Sequence, residues 1–191
     1  MFSTQLFQSE RLYLEAYDPE KDAASEAAFT HNLDYAWLLD SDEVPHPLTA
    51  FEIKKKREEQ LKKAEENGRA FYFAIKARTD ERFLGVVGLP WIMWNNGEGV
   101  LQVLVGEVED RQEILVEVLD MALRYVFEEL HLYYVSTGTA EFQPDMLETL
   151  LAAGFKPAVR QRLMAYRDGR LWDRLIVGMS QVDWQTLHPE E

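Results

Sequence analysis

The chain has 191 residues, of which 47% are hydrophobic, and a formal net charge of −14. This length and composition predict a single folded domain spanning residues 1–191, with its core at about 9–184. The absence of cysteine excludes disulfides, thiolate catalysis and cysteine-based zinc sites. The acidic balance disfavours nucleic acid and favours a cationic partner, although the same charge can serve only to maintain solubility.

Residues 1–15 lack a basic region followed by an apolar run, so they do not resemble a signal peptide. No apolar stretch reaches the length of about 18 residues that a membrane-spanning helix needs. We therefore expect no membrane contact and a cytoplasmic location.

Alternation of apolar residues and the positions of turn residues divide the chain into strands and helices. The predicted elements, in order, are a strand at 11–16, a helical stretch at 18–39, a helix at 50–67, strands at 70–77, 82–94 and 99–105, a helix at 114–130, a strand at 133–139, a short helix at 143–154 and a hairpin at 159–179. Thr49 and Glu52 predict a capping box at the start of one helix, and Gly68 predicts its end. This order predicts an α/β (α+β) domain with a mixed, mostly antiparallel sheet flanked by helices. The strands at 99–105 and 133–139 are expected to be parallel neighbours.

Four segments, in this order, resemble the GNAT superfamily of acyl-CoA-dependent N-acetyltransferases. They are SERLYLEAYDPEKDA (9–23), ALRYVFEELHLYYV (122–135), AAGF (152–155) and YRDGRLWDRLIVGMSQVDW (166–184). Within that superfamily they are similar to the branch that acetylates ribosomal-protein N-termini. The resemblance implies a GNAT-like fold with acetyl-CoA as co-substrate. It also implies acetyl transfer to a primary amine, either an N-terminal amine or a small cationic amine.

The family's glycine-rich loop holds the coenzyme A pyrophosphate at the start of the central helix, and it corresponds to residues 110–115. Its glycines fall on Arg111, Glu113 and Leu115, where a Cβ would hinder close approach of a phosphate to the backbone. The resemblance assigns the following positions to the cofactor, although the motif is not kept: Leu104, Val105, Arg111, Gln112, Glu113, Ile114, Leu115 and Gln143. Leu104 and Val105, in the strand at 99–105, would bind the pantetheine arm through their backbone.

The acidic residues at this helix start predict a closed site. Asp110 as N-cap and Glu113 three residues later would form an acidic capping box, which satisfies the N–H groups that the family lends to pyrophosphate. Arg111 could offset the negative charge if it turned inward. Leu150 stands where the family often has a tyrosine that protonates the departing thiolate. A catalytically inactive GNAT-fold protein, binding another ligand or a protein partner, therefore remains an alternative to an enzyme.

Four further residues are candidates for the acceptor side of the site. Glu98, at the start of a strand, is a candidate catalytic base, or simply a hairpin residue. Asp42 and His46 lie in a loop bracketed by prolines, which could bind a cationic amine or could simply be exposed to solvent. Trp91 could line a pocket or belong to a half-buried face of its strand. His31, His131 and His188 have no carboxylate or histidine at metal-ligand spacing, so no metal site is expected. A homodimer is left open.

Overall fold

The computed structural model describes residues 6–41, 43–106 and 108–189. Seven strands form one sheet, in the order β1-β2-β3-β4-β5-β7-β6. The strands are β1 (Leu12–Ala16), β2 (Phe71–Ala77), β3 (Phe83–Met93), β4 (Glu98–Val105), β5 (Tyr134–Ala140), β6 (Lys156–Arg167) and β7 (Arg170–Ser180). The helices are α1 (Pro19–Phe29), α2 (Leu33–Leu39), α3 (Ala50–Asn67), α4 (Arg111–Arg124), α5 (Pro144–Ala152) and α6 (Gln181–Leu187), and a π-helical turn, Tyr125–Glu129, follows α4. The predicted mixed, mostly antiparallel sheet flanked by helices is confirmed.

The helix boundaries follow from their caps. The predicted helical stretch at 18–39 is divided in two, because the Asn32 side chain accepts a hydrogen bond from the Asp34 N–H at 2.9 Å and begins a new helix. The predicted capping box of Thr49 and Glu52 is confirmed. Gly68 ends α3 in the left-handed conformation, with φ of 62°, which glycine adopts without steric cost.

The predicted parallel pairing of β4 with β5 is confirmed, but it is short. The two strands pair only from Glu98–Tyr134 to Val100–Ser136. Beyond these positions β4 remains paired with β3 up to Val105, and β5 remains paired with β7 up to Ala140. The two strands therefore diverge towards their carboxyl ends, and a gap opens in the middle of the sheet.

Hydrophobic clusters cover both faces of the sheet. Leu101, Val103 and Val105 of β4 pack with α4 and α5 on one face, whereas Leu104 packs with α1, α2 and α3 on the other. This alternation is the two-residue period of a strand buried on both sides. In the described part of the chain no helix is long and apolar enough to cross a membrane.

A buried ion pair joins α1 to α3. Arg57 and Glu26 are 1% and 0% exposed and form a two-pronged contact, with Nε of Arg57 3.0 Å from the carboxylate. The hydroxyl groups of Tyr17 and Tyr35 donate to the same carboxylate at 2.7 and 3.2 Å. Nη1 of Arg57 also donates to the Gln60 side chain at 3.0 Å. Because the buried charges are paired and hydrogen-bonded, the network fixes α3 and the position of Gln60.

Candidate functional site

A cavity of about 270 Å³ lies where β4 and β5 diverge. Its walls are formed by the stretch 100–103 of β4, by Thr137 and Gly138 of β5, by the stretch 37–41 at and after the end of α2, and by Gln60, Pro90, Met146 and Arg174. Strand side chains alternate between faces, so the β4 stretch contributes side chains to both. The cavity therefore reaches both faces of the sheet through the gap.

Polar groups concentrate on the face covered by α2 and α3. Nε2 of Gln102 donates to the Leu38 carbonyl at 2.7 Å, which holds the end of α2 against β4. Asp40, just after α2, is ion-paired with Lys56 of α3. Gln60 and Arg174 also line the cavity on its polar side. Polar groups thus line this side of the cavity, while apolar residues of β4 line the other.

The start of α4 lies beyond the carboxyl end of β4, and it differs from the expected acidic capping box. Asp110 is the N-cap residue, but its backbone is left-handed, with φ of 58°, and its side chain makes no capping hydrogen bond. A capping side chain requires an extended N-cap backbone. The Glu113 carboxylate instead accepts a hydrogen bond from Nη1 of Arg11 at 2.7 Å. The expected acidic capping box of these two side chains is therefore wrong.

Arg11 draws two carboxylates of α4 towards β1. Its Nε donates to Glu117 at 3.0 Å, in addition to the bond to Glu113. Hydrogen bonds to the two carboxylates raise the pKa of the Arg11 guanidinium. The first-turn N–H groups of α4 thus remain without a capping bond from Asp110, and such groups attract anions.

Of the other residues predicted for this loop, two make side-chain hydrogen bonds and two are buried in the core. Nε of Arg111 donates to the Val105 carbonyl at 3.2 Å, which places a guanidinium beside the last residue of β4. Nε2 of Gln112 donates to Thr149 of α5 at 3.3 Å. Ile114 and Leu115 are buried in the main core, so only their backbones are candidates for contact with a ligand.

A family model described as the acetyltransferase (GNAT) domain matches residues 11–156, which include β4, the start of α4 and β5. The chain belongs to the GNAT acetyltransferase family. A search of curated proteins found no match to the sequence.

Solved GNAT-fold structures support this assignment at the level of the fold. Spermidine N-acetyltransferase from Vibrio cholerae, in complex with CoA and spermine, superposes with a TM-score of 0.76 at 17% identity, covering 92% of this chain and 99% of that one. Mutant forms of the spermidine/spermine N-acetyltransferase SpeG from the same organism give 0.74 at 16% identity, covering 94% and 99%. A structure described as a probable acetyltransferase gives 0.76 at 17% identity, covering 92% and 96%.

Of the two β4 residues predicted to bind the pantetheine arm, Leu104 turns its carbonyl away from the gap, and Val105 has its carbonyl bonded to Arg111. A Cβ added to Gly85 of β3 would lie 1.9 Å from the Leu104 oxygen, so that carbonyl points towards β3 and away from the gap. The Val105 carbonyl accepts the bond from Arg111. The β4 residues that line the cavity itself are 100–103.

The two positions at which the resemblance implies a cofactor contact and an acid catalyst, Gln143 and Leu150, are both buried. Gln143 is 7% exposed, accepts a hydrogen bond from Thr139 Oγ1 at 3.2 Å and donates to the Asp34 carbonyl at 3.3 Å. It thereby ties the start of α5 to β5 and α2. Leu150 is 0% exposed within the main core.

The structure does not bring the predicted acceptor residues together in the cavity. Glu98 is exposed at the paired end of β4, four residues before Gln102, which is about 13 Å along a strand. His46 is exposed, with Nδ1 2.8 Å from the Val44 carbonyl. Trp91 is 38% exposed and pairs with Val100, a lining residue. Asp42 lies outside the described residues. No group of metal-ligating side chains occurs in the part of the chain that was described.

Two lining residues, Gln60 and Arg174, could not be predicted from the sequence. Gln60 occupies a charged, amphipathic helix in which nothing distinguishes it. Arg174 belongs to the closing segment that resembles the family, at a position with no motif of its own. Both are brought to the cavity by tertiary packing, for which the sequence carries no local signal.

Proposed function

We propose that this GNAT protein transfers the acetyl group of acetyl-CoA to a primary amine in the gap between β4 and β5. The observation that carries the proposal is the end of strand pairing at Val100 and Ser136, with a cavity reaching both faces of the sheet beyond it. An extended ligand can pair with a free strand edge through backbone hydrogen bonds. The gap thus suits the pantetheine arm on one side and an amine on the other.

The start of α4 supports binding of the pyrophosphate without glycines. The Asp110 side chain makes no bond to the first-turn N–H groups, and the guanidinium of Arg111 lies at the same helix start. Arginine binds phosphate groups with geometric specificity and attracts them by charge. Arg11 holds the Glu113 carboxylate in an ion pair, which reduces its repulsion of a phosphate.

Acetyl-CoA supplies the thioester, whose carbonyl carbon the amine nitrogen attacks, so that a C–N bond forms and the C–S bond breaks. The chain positions the amine. Gln60 and Gln102 are fixed by their contacts with Arg57 and the end of α2, and Asp40 places a carboxylate at the same mouth. These groups can bind and orient an ammonium or amine, which lowers the entropic cost of the reaction. The amine proton and the proton taken up by the thiolate are exchanged with water.

The proposed acceptor is a primary amine, and two observations bear on which kind of amine it is. The structural neighbours include enzymes described as acting on spermidine and spermine. The segments resembling the ribosomal-protein branch point instead to a peptide N-terminus. Both acceptors are cationic, which agrees with the net charge of −14.

A second candidate is a non-catalytic GNAT-fold protein that binds another ligand or a protein partner. The fully buried Leu150, where the family often has a tyrosine, favours it. The two candidates differ in turnover, since a non-catalytic protein would release no coenzyme A above the uncatalysed rate.

The test is release of free thiol from acetyl-CoA on addition of primary amines. The protein has no cysteine, so a thiol reagent detects only coenzyme A. Arg111→Ala should raise the KM for acetyl-CoA about tenfold, equivalent to about 1.4 kcal/mol, and Arg111→Lys should raise it less. Arg124→Ala, at the other end of α4, is the matched control. Absence of amine-dependent thiol release, or equal KM values for Arg111→Ala and the control, would contradict the proposal.

A further inference from the structure

We infer that the amine accepted in this cleft carries a carboxylate, and that Arg174 binds that carboxylate. This inference rests on the proposed function and names its substrate class. Arg174 lies on β7, opposite Ala140 of β5, and lines the cavity. Its Nε and Nη2 lie 3.5 Å from the position that a Cβ on Gly138 would occupy, so the guanidinium lies over the β5 wall of the gap.

Within the described part of the chain, Arg174 lacks the carboxylate partner that Arg160 and Arg167 of the same hairpin have. Arg160 is paired with Asp173 and Glu141, and Arg167 is paired with Asp34. Nε of Arg174 is buried without a hydrogen-bond partner, and among the described residues no carboxylate lies within ion-pair distance of its guanidinium. A buried donor without a partner is costly. A ligand acceptor would remove that cost.

The charges around the cavity suit an amino acid better than a polyamine. A polyamine needs carboxylates along its length and no fixed cation beside it. The described lining carries Arg174 and one carboxylate, Asp40, whose charge is balanced by Lys56. A molecule with an ammonium and a carboxylate matches this arrangement, because a guanidinium binds a carboxylate through two parallel hydrogen bonds.

Besides an acceptor carboxylate, the phosphates of coenzyme A are the other anionic groups that Arg174 could bind. The start of α4, where the pyrophosphate is proposed to bind, follows the carboxyl end of β4, whereas Arg174 lies over Gly138 on the polar, α2-covered side of the sheet. If Arg174 bound a phosphate, its loss would weaken acetyl-CoA binding. If it binds the acceptor, only the acceptor kinetics change.

The experiment compares matched acceptors that differ by one carboxylate: lysine with cadaverine, ornithine with putrescine, and phenylalanine with phenethylamine, together with spermidine. Thiol release is measured for the wild-type protein, Arg174→Gln, Arg174→Lys and the control Arg162→Gln, an exposed arginine of the same hairpin. We expect kcat/KM about tenfold higher for the amino acid in at least one pair. Arg174→Gln should abolish that preference without changing the KM for acetyl-CoA, Arg174→Lys should restore part of it, and Arg162→Gln should leave it intact.

Several outcomes would overturn the inference. One is an equal or higher kcat/KM for the amine without carboxylate in every pair, with spermidine the best acceptor. Others are a preference unchanged in Arg174→Gln and a raised KM for acetyl-CoA in that variant. Turnover of amines without carboxylate, with none for any amino acid, would also overturn it. Failure to bind acetyl-CoA, or absence of turnover with every acceptor, would overturn the proposed function itself, so the two failures are distinguishable.

Discussion

Nη1 of Arg11, just before β1, lies 2.7 Å from the carboxylate of Glu113 in the first turn of α4. The same guanidinium contacts Glu117 one turn later. Both carboxylates stand near the helix start where a GNAT protein is expected to bind phosphate. A side chain far away in sequence therefore contributes to the electrostatic potential at that helix start.

Arg11→Met should weaken acetyl-CoA binding by roughly threefold to tenfold at low salt, because Glu113 and Glu117 lose the cation that balances them. The effect should shrink at high salt, since the pair is solvent-exposed. Adding Glu113→Gln to Arg11→Met should recover most of the affinity. Arg82→Met, which removes an exposed cation away from this site, serves as the control. Calorimetric titration measures all four proteins, and equal affinity for Arg11→Met and Arg82→Met would count against this role.

Arg57→Met should lower the free energy of unfolding by about 3–5 kcal/mol, because it leaves the Glu26 carboxylate buried without its partner. At about 2–4 °C per kcal/mol for a chain of this size, the melting midpoint should fall by roughly 6–20 °C. The double variant Arg57→Met, Glu26→Leu should regain much of the loss. Lys54→Met, which breaks an exposed pair on the same helix, should change the midpoint little. A loss of less than about 2 °C in Arg57→Met would show that the pair contributes little.

The free energy of unfolding should fall at alkaline pH because Tyr17 and Tyr35 donate hydrogen bonds to the buried Glu26 carboxylate. Burial, and then the Glu26 charge, raises the pKa of Tyr17 above its ordinary value, and burial raises that of Tyr35. Both tyrosines hold their protons more tightly in the folded state, so their contribution is complete below about pH 10 and is lost as the pH rises beyond it. Denaturant unfolding at a series of pH values should show a shallower alkaline loss for Tyr17→Phe. Tyr133→Phe, at a tyrosine that is 60% exposed, should keep the wild-type slope, and identical slopes for both variants would refute the assignment.

The fold could be predicted from sequence because its signals are local. The capping box at Thr49, the stop at Gly68 and the alternation in β4 each depend on neighbouring residues, and the structure confirms them. The parallel pairing of β4 and β5 was also predictable, because a long helix connects the two strands.

The site was less predictable because its determinants are distant in sequence. The interpretation of Glu113 as a capping residue failed because its partner, Arg11, is 102 residues away, and because the left-handed backbone of Asp110 is invisible in a sequence pattern. The point at which β4 and β5 separate depends on how each strand pairs with its other neighbour. Arg174 reaches the cavity only through the pairing of β7 with β5.

The central claim, that the gap between β4 and β5 binds acetyl-CoA, is tested most directly by a thermal melt with and without the cofactor. A ligand at a hundred times its dissociation constant adds about 2.7 kcal/mol to the free energy of unfolding, which should raise the midpoint by about 5–10 °C for a chain of this size. A rise of that order with acetyl-CoA at about 1 mM, the upper end of usual Michaelis constants, is the predicted result. An unchanged midpoint at that concentration would contradict the claim.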